Sequence, residues 1–281
     1  MSSTPVLLLL GAGSNLGSSI AAAFSQAGYK VALVARSIEP GLRESGRYHI
    51  RADLSNGECI PRIFDEVTNT VGTPSVVVYN GKFSSSPPGL SPVQPLQALA
   101  IPVQYKLDNE SDPFATLAPE TVHQFRTTMA VNGTTPLIAV HHAIQAFRKL
   151  PPAATGAKGG TFIFTGNVLN RVAVPDRFSF GCAKATCAYG IKMASVVYAG
   201  EGIRFYYADE RNSEGLPVMR DIDGPAAGRV YLALAEDPKQ RAWNYTYTKD
   251  GGYEDFDAGG CGEYLSVRQA RTVESTKGGR D

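Results

Sequence analysis

The residues of this chain best suited to chemistry stand where apolar runs end, and the first group is Gly11-Ala12-Gly13-Ser14-Asn15-Leu16-Gly17. Glycines let a backbone approach a pyrophosphate, and a helix starting near Ser14 offers free N–H groups and a positive dipole end to its charge. Five apolar residues, Val6 to Leu10, run into this turn. The stretch after it puts Ile20, Ala23, Phe24 and Ala27 on one helical face. Strand, turn and helix together predict a dinucleotide site with contacts from Gly11, Gly13, Ser14, Asn15, Leu16 and Gly17; a purely structural turn is the competing reading. A second strand, 30–35, ends at Arg36 and Ser37, where the ribose of an adenine nucleotide would lie. A carboxylate there would accept from a ribose 2′-hydroxyl, whereas an arginine suits a 2′-phosphate, so Arg36 predicts NADP rather than NAD. The alternative for Arg36 is a solvated charge at a strand end.

Composition narrows the class of partner. The chain has 281 residues, 43% of them hydrophobic, which allows one α/β domain with a well-buried core. With 27 basic and 26 acidic residues and no basic stripe interleaved with aromatics, neither nucleic acid nor an anionic membrane is expected as a partner; a small molecule is. Cys59, Cys182, Cys187 and Cys261 show no metal-ligand spacing and read as reduced thiols, and no metal is expected. The leucine run near the start lacks a basic flank and leads straight into the glycine turn, and no stretch approaches the ~18 apolar residues of a membrane span. A cytoplasmic protein is expected.

The elements that must position these groups alternate strand with helix, the pattern of a parallel sheet covered on both faces. A third strand over 48–52 carries Asp53-Leu54 at its end, and a helix over 56–70 leads to a fourth strand, 75–79, terminated by Asn80-Gly81. Residues 82–119 are dense in Pro and Ser and emerge at the carboxyl end of a strand, the ligand side of an open parallel sheet. A helical segment follows over 120–150, then a strand at 161–165, a helix over 178–199, a strand at 203–208, a helix over 224–236 and a strand at 243–248. The sequence after Glu263 is a polar tail. The predicted organisation is one domain, 1–262, with an insertion at about 82–119, followed by the tail 263–281.

In order and spacing these residues resemble the short-chain dehydrogenase/reductase family from Val6 to about Gly252. The turn at Gly11 to Gly17 is similar to the family's TGxxxGxG, with Asn15 where the middle glycine belongs. Asp53, with Leu54 beside it, matches the acidic residue that holds the adenine amine. Asn80-Gly81 matches the NAG motif, Asn132 the asparagine of the catalytic tetrad, Lys184 its lysine, Gly202-Ile203-Arg204 the GIR, and Asp250-Gly251-Gly252 the terminal DGG. The resemblance implies a Rossmann-type doubly wound parallel sheet in three layers, α/β/α, a nicotinamide cofactor and a homodimer or homotetramer. The long helices at 120–150 and 178–199, apolar on more than one face, would supply the subunit interface.

The catalytic positions depart from the pattern. The family's YxxxK stands here as Phe180-Gly181-Cys182-Ala183-Lys184, so a phenyl ring takes the place of the phenol that moves a proton, and the serine thirteen residues earlier falls at Asn167. The PG after the sixth strand is replaced by Asp209-Glu210. Lys184 keeps only a cofactor-binding role on this reading. Asn132 belongs either to a proton relay or to a helix kink whose backbone groups it satisfies. Asn167 can donate a hydrogen bond to a carbonyl but supplies no proton. Loss of a positioned general acid costs about 10²- to 10⁴-fold, whereas an iminium-like acceptor takes a hydride and becomes neutral with no oxygen to protonate. Tyr189, Asp176, Arg177, Asp209, His123 and Tyr105 are the candidates to replace the phenol, each with an ordinary structural reading beside it. Phe83, Phe114, Phe178 and Phe180 suggest a bulky apolar or aromatic ligand, or else core packing. Three functions are compatible with these residues: a divergent NADP(H)-dependent reductase, a non-redox isomerase or cyclase on the same fold, and a nucleotide-binding protein without turnover.

Overall fold

The computed structural model describes residues 4–81, 119–151, 159–173, 177–219 and 221–256. Their apolar runs form a nine-stranded sheet: β1 (Val6–Leu10), β2 (Lys30–Ala35), β3 (Gly41–Leu42), β4 (Tyr48–Arg51), β5 (Val76–Tyr79), β6 (Gly160–Thr165), β7 (Ile203–Glu210), β8 (Asn244–Thr248) and β9 (Gly252–Tyr253). The order across the sheet is β3-β4-β2-β1-β5-β6-β7-β8-β9. The long strands are all parallel, and only the two-residue strands β3 and β9 pair antiparallel, at the edges. From β1 the chain builds outward through β2 to β4, then returns to lay β5 on the other side of β1. That reversal opens a crevice at the carboxyl ends of β1 and β5.

Among the described residues there are six α-helices, α1 (Leu16–Gln26), α2 (Cys59–Thr70), α3 (Pro119–Met129), α4 (Thr135–Phe147), α5 (Phe178–Val197) and α6 (Gly224–Glu236), with α3 packed on α5 and the others on the two faces of the sheet. Strand side chains alternate between the faces. Leu8, Leu10, Val77, Phe162 and Phe205 pack with α2, α4 and α5. Leu7, Leu9, Val78, Ile163 and Tyr206 pack with α1 and α6. The fold is thus the expected Rossmann-like three-layer α/β single domain.

Three expectations are corrected. The helical segment 120–150 is not continuous: a π-helical turn, Ala130–Thr134, separates α3 from α4. The π turn leaves a carbonyl outside the ordinary ladder, and Tyr79 Oη donates to Val131 O at 2.5 Å. The strand expected to stop at Ala208 runs on to Glu210, which places Asp209 and Glu210 inside the sheet rather than in a loop. Pro119 opens α3 instead of closing the irregular stretch. The rest of the insertion at 82–119 and the tail 263–281 lie outside the described residues, as do Asp176, Tyr105, Phe83, Phe114 and Cys261. Among the described residues no helix is long and apolar enough to cross a membrane, and no cluster of His, Cys, Asp or Glu could hold a metal ion.

Candidate functional site

A cavity of about 470 Å³ lies in the crevice between β1 and β5, lined by Gly11 to Leu16, Arg36, Asp53, Leu54, Asn80 and Gly81 with their neighbours. The turn is pinned from beneath, since Gly11 N and Ala12 N both donate to Val34 O at 2.9 Å. From β5, Asn80 Nδ2 donates to Gly11 O at 2.8 Å. Gly11 holds φ +97°, and a Cβ there would lie 2.6 Å from the backbone of Asn80 and Gly81. Gly13 differs: a Cβ there would meet no protein atom within 4 Å, and the residue is exposed on the cavity wall. The protein's own packing therefore requires glycine at 11. At 13 the room is left on the side of the cavity.

Nearly all the residues expected to hold a cofactor line this one cavity. Gly17 does not, being buried at the start of α1. Arg36 and Ser37 stand at the end of β2, and Asp53, whose side chain accepts from Ser55 N at 3.0 Å, is the acidic residue of the lining. Sequence reasoning missed Val131 and Ile222, which reach the cavity from the π turn and from the entry to α6. No local pattern marks either, because both arrive by long-range packing.

The four residues expected to do chemistry lie outside that lining; the structure gathers Lys184, Asn167 and Phe180 around the end of β6, while Asn132 lies in the π turn that packs on α5. Lys184, 4% exposed, donates from Nζ to Thr165 O at 2.8 Å. Its ammonium also sits 4.3 Å from the Phe164 ring centre and 5.2 Å from that of Phe180, one helical turn before it on α5. Asn167 Oδ1 accepts from Leu169 N at 3.1 Å and caps a short 3₁₀ turn, which leaves the amide nitrogen as the end able to donate elsewhere. Its backbone exchanges two bonds with the Tyr207 hydroxyl, which donates to Asn167 O at 2.8 Å and accepts from Asn167 N at 3.1 Å. Asn132 is fully buried in the π turn. Its Nδ2 donates to Thr128 O at 3.2 Å, while Oδ1 has no partner among the described residues. The turn packs on α5, where a Cβ at Gly133 would be 3.6 Å from Ala183 Cα.

Several candidates for the proton donor are set aside by their surroundings. Asp209 is buried in an ion pair with Arg211, whose Nε and Nη2 lie 2.6 and 2.5 Å from Asp209 Oδ2. Arg211 Nη1 also donates to Gly215 O at 2.8 Å, tying the segment after β7 to the sheet. Tyr189 is 68% exposed on the outer side of α5, and His123 is exposed on α3. Arg177 stands at the N-cap of α5, and Phe178 stacks on Phe125. Glu210, which sequence reasoning passed over, is 8% exposed and accepts from Asp223 N with both oxygens at 3.1 Å. Burial, opposed by that backbone bond and reinforced by Asp223 and Asp209, pushes its carboxyl up to about 7. The alternation of β7 could have shown that Glu210 shares the Tyr206 and Ala208 face, toward α6.

No protein-family model matches the chain. A curated short chain dehydrogenase/reductase of Cryptosporiopsis sp. (strain 8999) is 33% identical over 258 residues, covering 91% of this chain and 96% of that protein. Among solved structures, a metagenomic short-chain oxidoreductase in complex with NADP superposes with a TM-score of 0.62 at 18% identity, over 83% of this chain and 90% of that one. A 3-oxoacyl-[acyl-carrier protein] reductase from Brucella melitensis in complex with NAD gives 0.63 at 17%, over 89% and 97%. At those identities the two structures speak to the fold. With the sequence relative spanning nearly both whole chains, the protein belongs to the short-chain dehydrogenase/reductase family.

Proposed function

We propose that the protein is a divergent NADP(H)-dependent reductase acting on a bulky apolar or iminium-like small molecule in specialised metabolism. The observation that carries this reading is the cavity, where a pinned glycine turn, a helix start, Arg36 and Asp53 face one space. The residues present fit a dinucleotide. Gly13 leaves room that no protein atom uses, the turn of α1 would offer backbone N–H groups to a pyrophosphate, and Asp53, in the same lining, would accept from an adenine amine. Arg36, an arginine where a carboxylate at the end of β2 would accept from a ribose 2′-hydroxyl, favours a 2′-phosphate and hence NADP over NAD.

When bound, a reduced nicotinamide supplies a hydride. The chain's own groups then bind and orient. Lys184 holds its ammonium against Thr165 O and two phenyl faces, ready for ribose hydroxyls. Asn167 offers an amide N–H to the electrophile. Phe180, in the place of the family's tyrosine, carries no proton, and Asp209 is engaged with Arg211. A substrate neutralised by hydride alone suits this constellation. The same lack of an acid favours, as a second reading, a non-redox isomerase or cyclase. A cytoplasmic setting accords with the free thiols Cys59, Cys182 and Cys187. Exposed Tyr189, Met193, Val196 and Val197 form one stripe of α5 suited to a second copy of the chain, and light scattering should give two or four times the single-chain mass rather than that mass itself.

The reading is tested by the double variant Phe180→Tyr/Asn167→Ser, assayed by NADPH oxidation against a panel of cyclic iminium ions and a panel of ketones. Wild type should reduce the iminium ions, the variant should not exceed it there, and ketone reduction should rise by about 10²-fold. A gain on the iminium ions, or wild-type preference for ketones, would contradict it.

A further inference from the structure

Asn15 occupies the N-cap position of α1, where an asparagine ordinarily accepts a hydrogen bond from its own helix. Here it makes no such bond. Its carboxamide turns across the fold instead, and Nδ2 donates to Ile222 O at 3.1 Å, 207 residues away in sequence. Both residues line the dinucleotide cavity, so the bond links the glycine turn to the entry of α6 at the rim of that space. The α6 side of the link is fixed. Asp223 N is held by both oxygens of Glu210, the Asp223 side chain caps Ala226 N at 2.7 Å, and α6 is seated on α1 so closely that a Cβ at Gly224 would lie 2.4 Å from Ser19 Oγ. The same Cβ would lie 2.6 Å from Asn15 Oδ1, so the exposed Asn15 side chain rests against this fixed entry and is the partner able to swing away.

We infer that Asn15 is a latch for the dinucleotide, a residue that sets how long the cofactor stays by closing the rim between the glycine turn and Ile222. This rests on the proposed cofactor reading and deepens it. A ligand seated behind the Asn15 to Ile222 bond leaves only when that bond opens, so losing the bond speeds release. It also gives a physical reason for asparagine where the family's turn carries glycine, which has no side chain to reach across. A single neutral hydrogen bond of this kind corresponds to a release rate changed about three- to tenfold.

The test is stopped-flow displacement of NADPH from the full chain, followed by cofactor fluorescence, for wild type, Asn15→Ala and Asn15→Gly. Both variants should release NADPH three- to tenfold faster without slower association, and their melting temperatures should fall by no more than a few degrees, as the loss of one exposed hydrogen bond implies. Release at the wild-type rate in both variants overturns the latch while leaving the cofactor assignment intact. Failure of wild type itself to bind NADPH overturns the cofactor assignment and the latch with it. A loss confined to the association rate also overturns the latch, since it would make Asn15 a direct contact instead.

Discussion

The two ends of the crevice differ in what their side chains do with one another. At the ends of β1, β2, β4 and β5 the residues bond through backbone to shape a turn and leave about 470 Å³ open in front of it. At the ends of β6 and β7 the polar groups satisfy each other: Asp209 with Arg211, the Tyr207 hydroxyl with the Asn167 backbone, and Tyr231 Oη donating to Thr165 Oγ1 at 3.0 Å. The first arrangement suits a dinucleotide. The second is that of a wall, in which groups that could have moved protons are committed to holding strands and loops together. On the proposed reading, binding is thereby separated from acid–base work, and the reacting end is left to Lys184, Asn167 and an unreactive phenyl ring.

The wall breaks most severely at its buried ion pair. Arg211→Ala leaves the Asp209 carboxylate buried without its guanidinium, and the expected loss of stability is about 3–5 kcal/mol. Urea unfolding measures it, and a loss below about 1 kcal/mol would show the pair to be incidental. The open end is sharpened by two glycines compared directly. Gly11→Ala forces a side chain at φ +97° into the Asn80 backbone and should cost about 2–3 kcal/mol. Gly13→Ala, with nothing within 4 Å, should leave the melting temperature unchanged and weaken NADPH binding about tenfold or more. Equal destabilisation by both would mean that the room at Gly13 is not kept for a ligand.

Glu210 gives a smaller expected change in stability than Arg211 or Gly11 and links the two ends through Asp223. Its carboxyl ionises at about 7 in the fold, against an ordinary 4.5, because burial disfavours the charge. Between these values the folded chain retains a proton that the unfolded chain has released, so stability falls as pH rises through that window. Glu210→Gln removes this slope and should be the more stable protein at pH 8, by about 1–2 kcal/mol, with no advantage at pH 4. Paired urea melts at the two pH values check it, and a wild-type advantage at pH 8 would reverse the sign.

What could be read in the sequence tracks how local the cause is. The strands, the turn at Gly11 to Gly17 and the placing of Arg36, Asp53 and Asn80 around one cavity depend on periodicity and on a few consecutive residues. The π turn was hidden because the apolar spacing runs smoothly from Val122 to Phe147, while the carbonyl it frees is satisfied by Tyr79, 52 residues away. The extension of β7 was hidden because Asp209 and Glu210 look like loop residues until Arg211 and the Asp223 backbone supply their partners. β3 and β9 are two residues long and owe their existence to the strands they pair with. Side-chain pairing over long sequence distances decided the reacting end, so its resemblance to the family was the least informative part of the chain.

The central claim, that the open cavity is built for NADP(H), is tested most directly by calorimetric titration of the wild-type chain and Arg36→Ala with NADPH and NADH. The account predicts that wild type binds NADPH at least tenfold more tightly than NADH and that Arg36→Ala abolishes the difference by weakening NADPH alone. Equal affinities in wild type, or a preference that survives in Arg36→Ala, would contradict it.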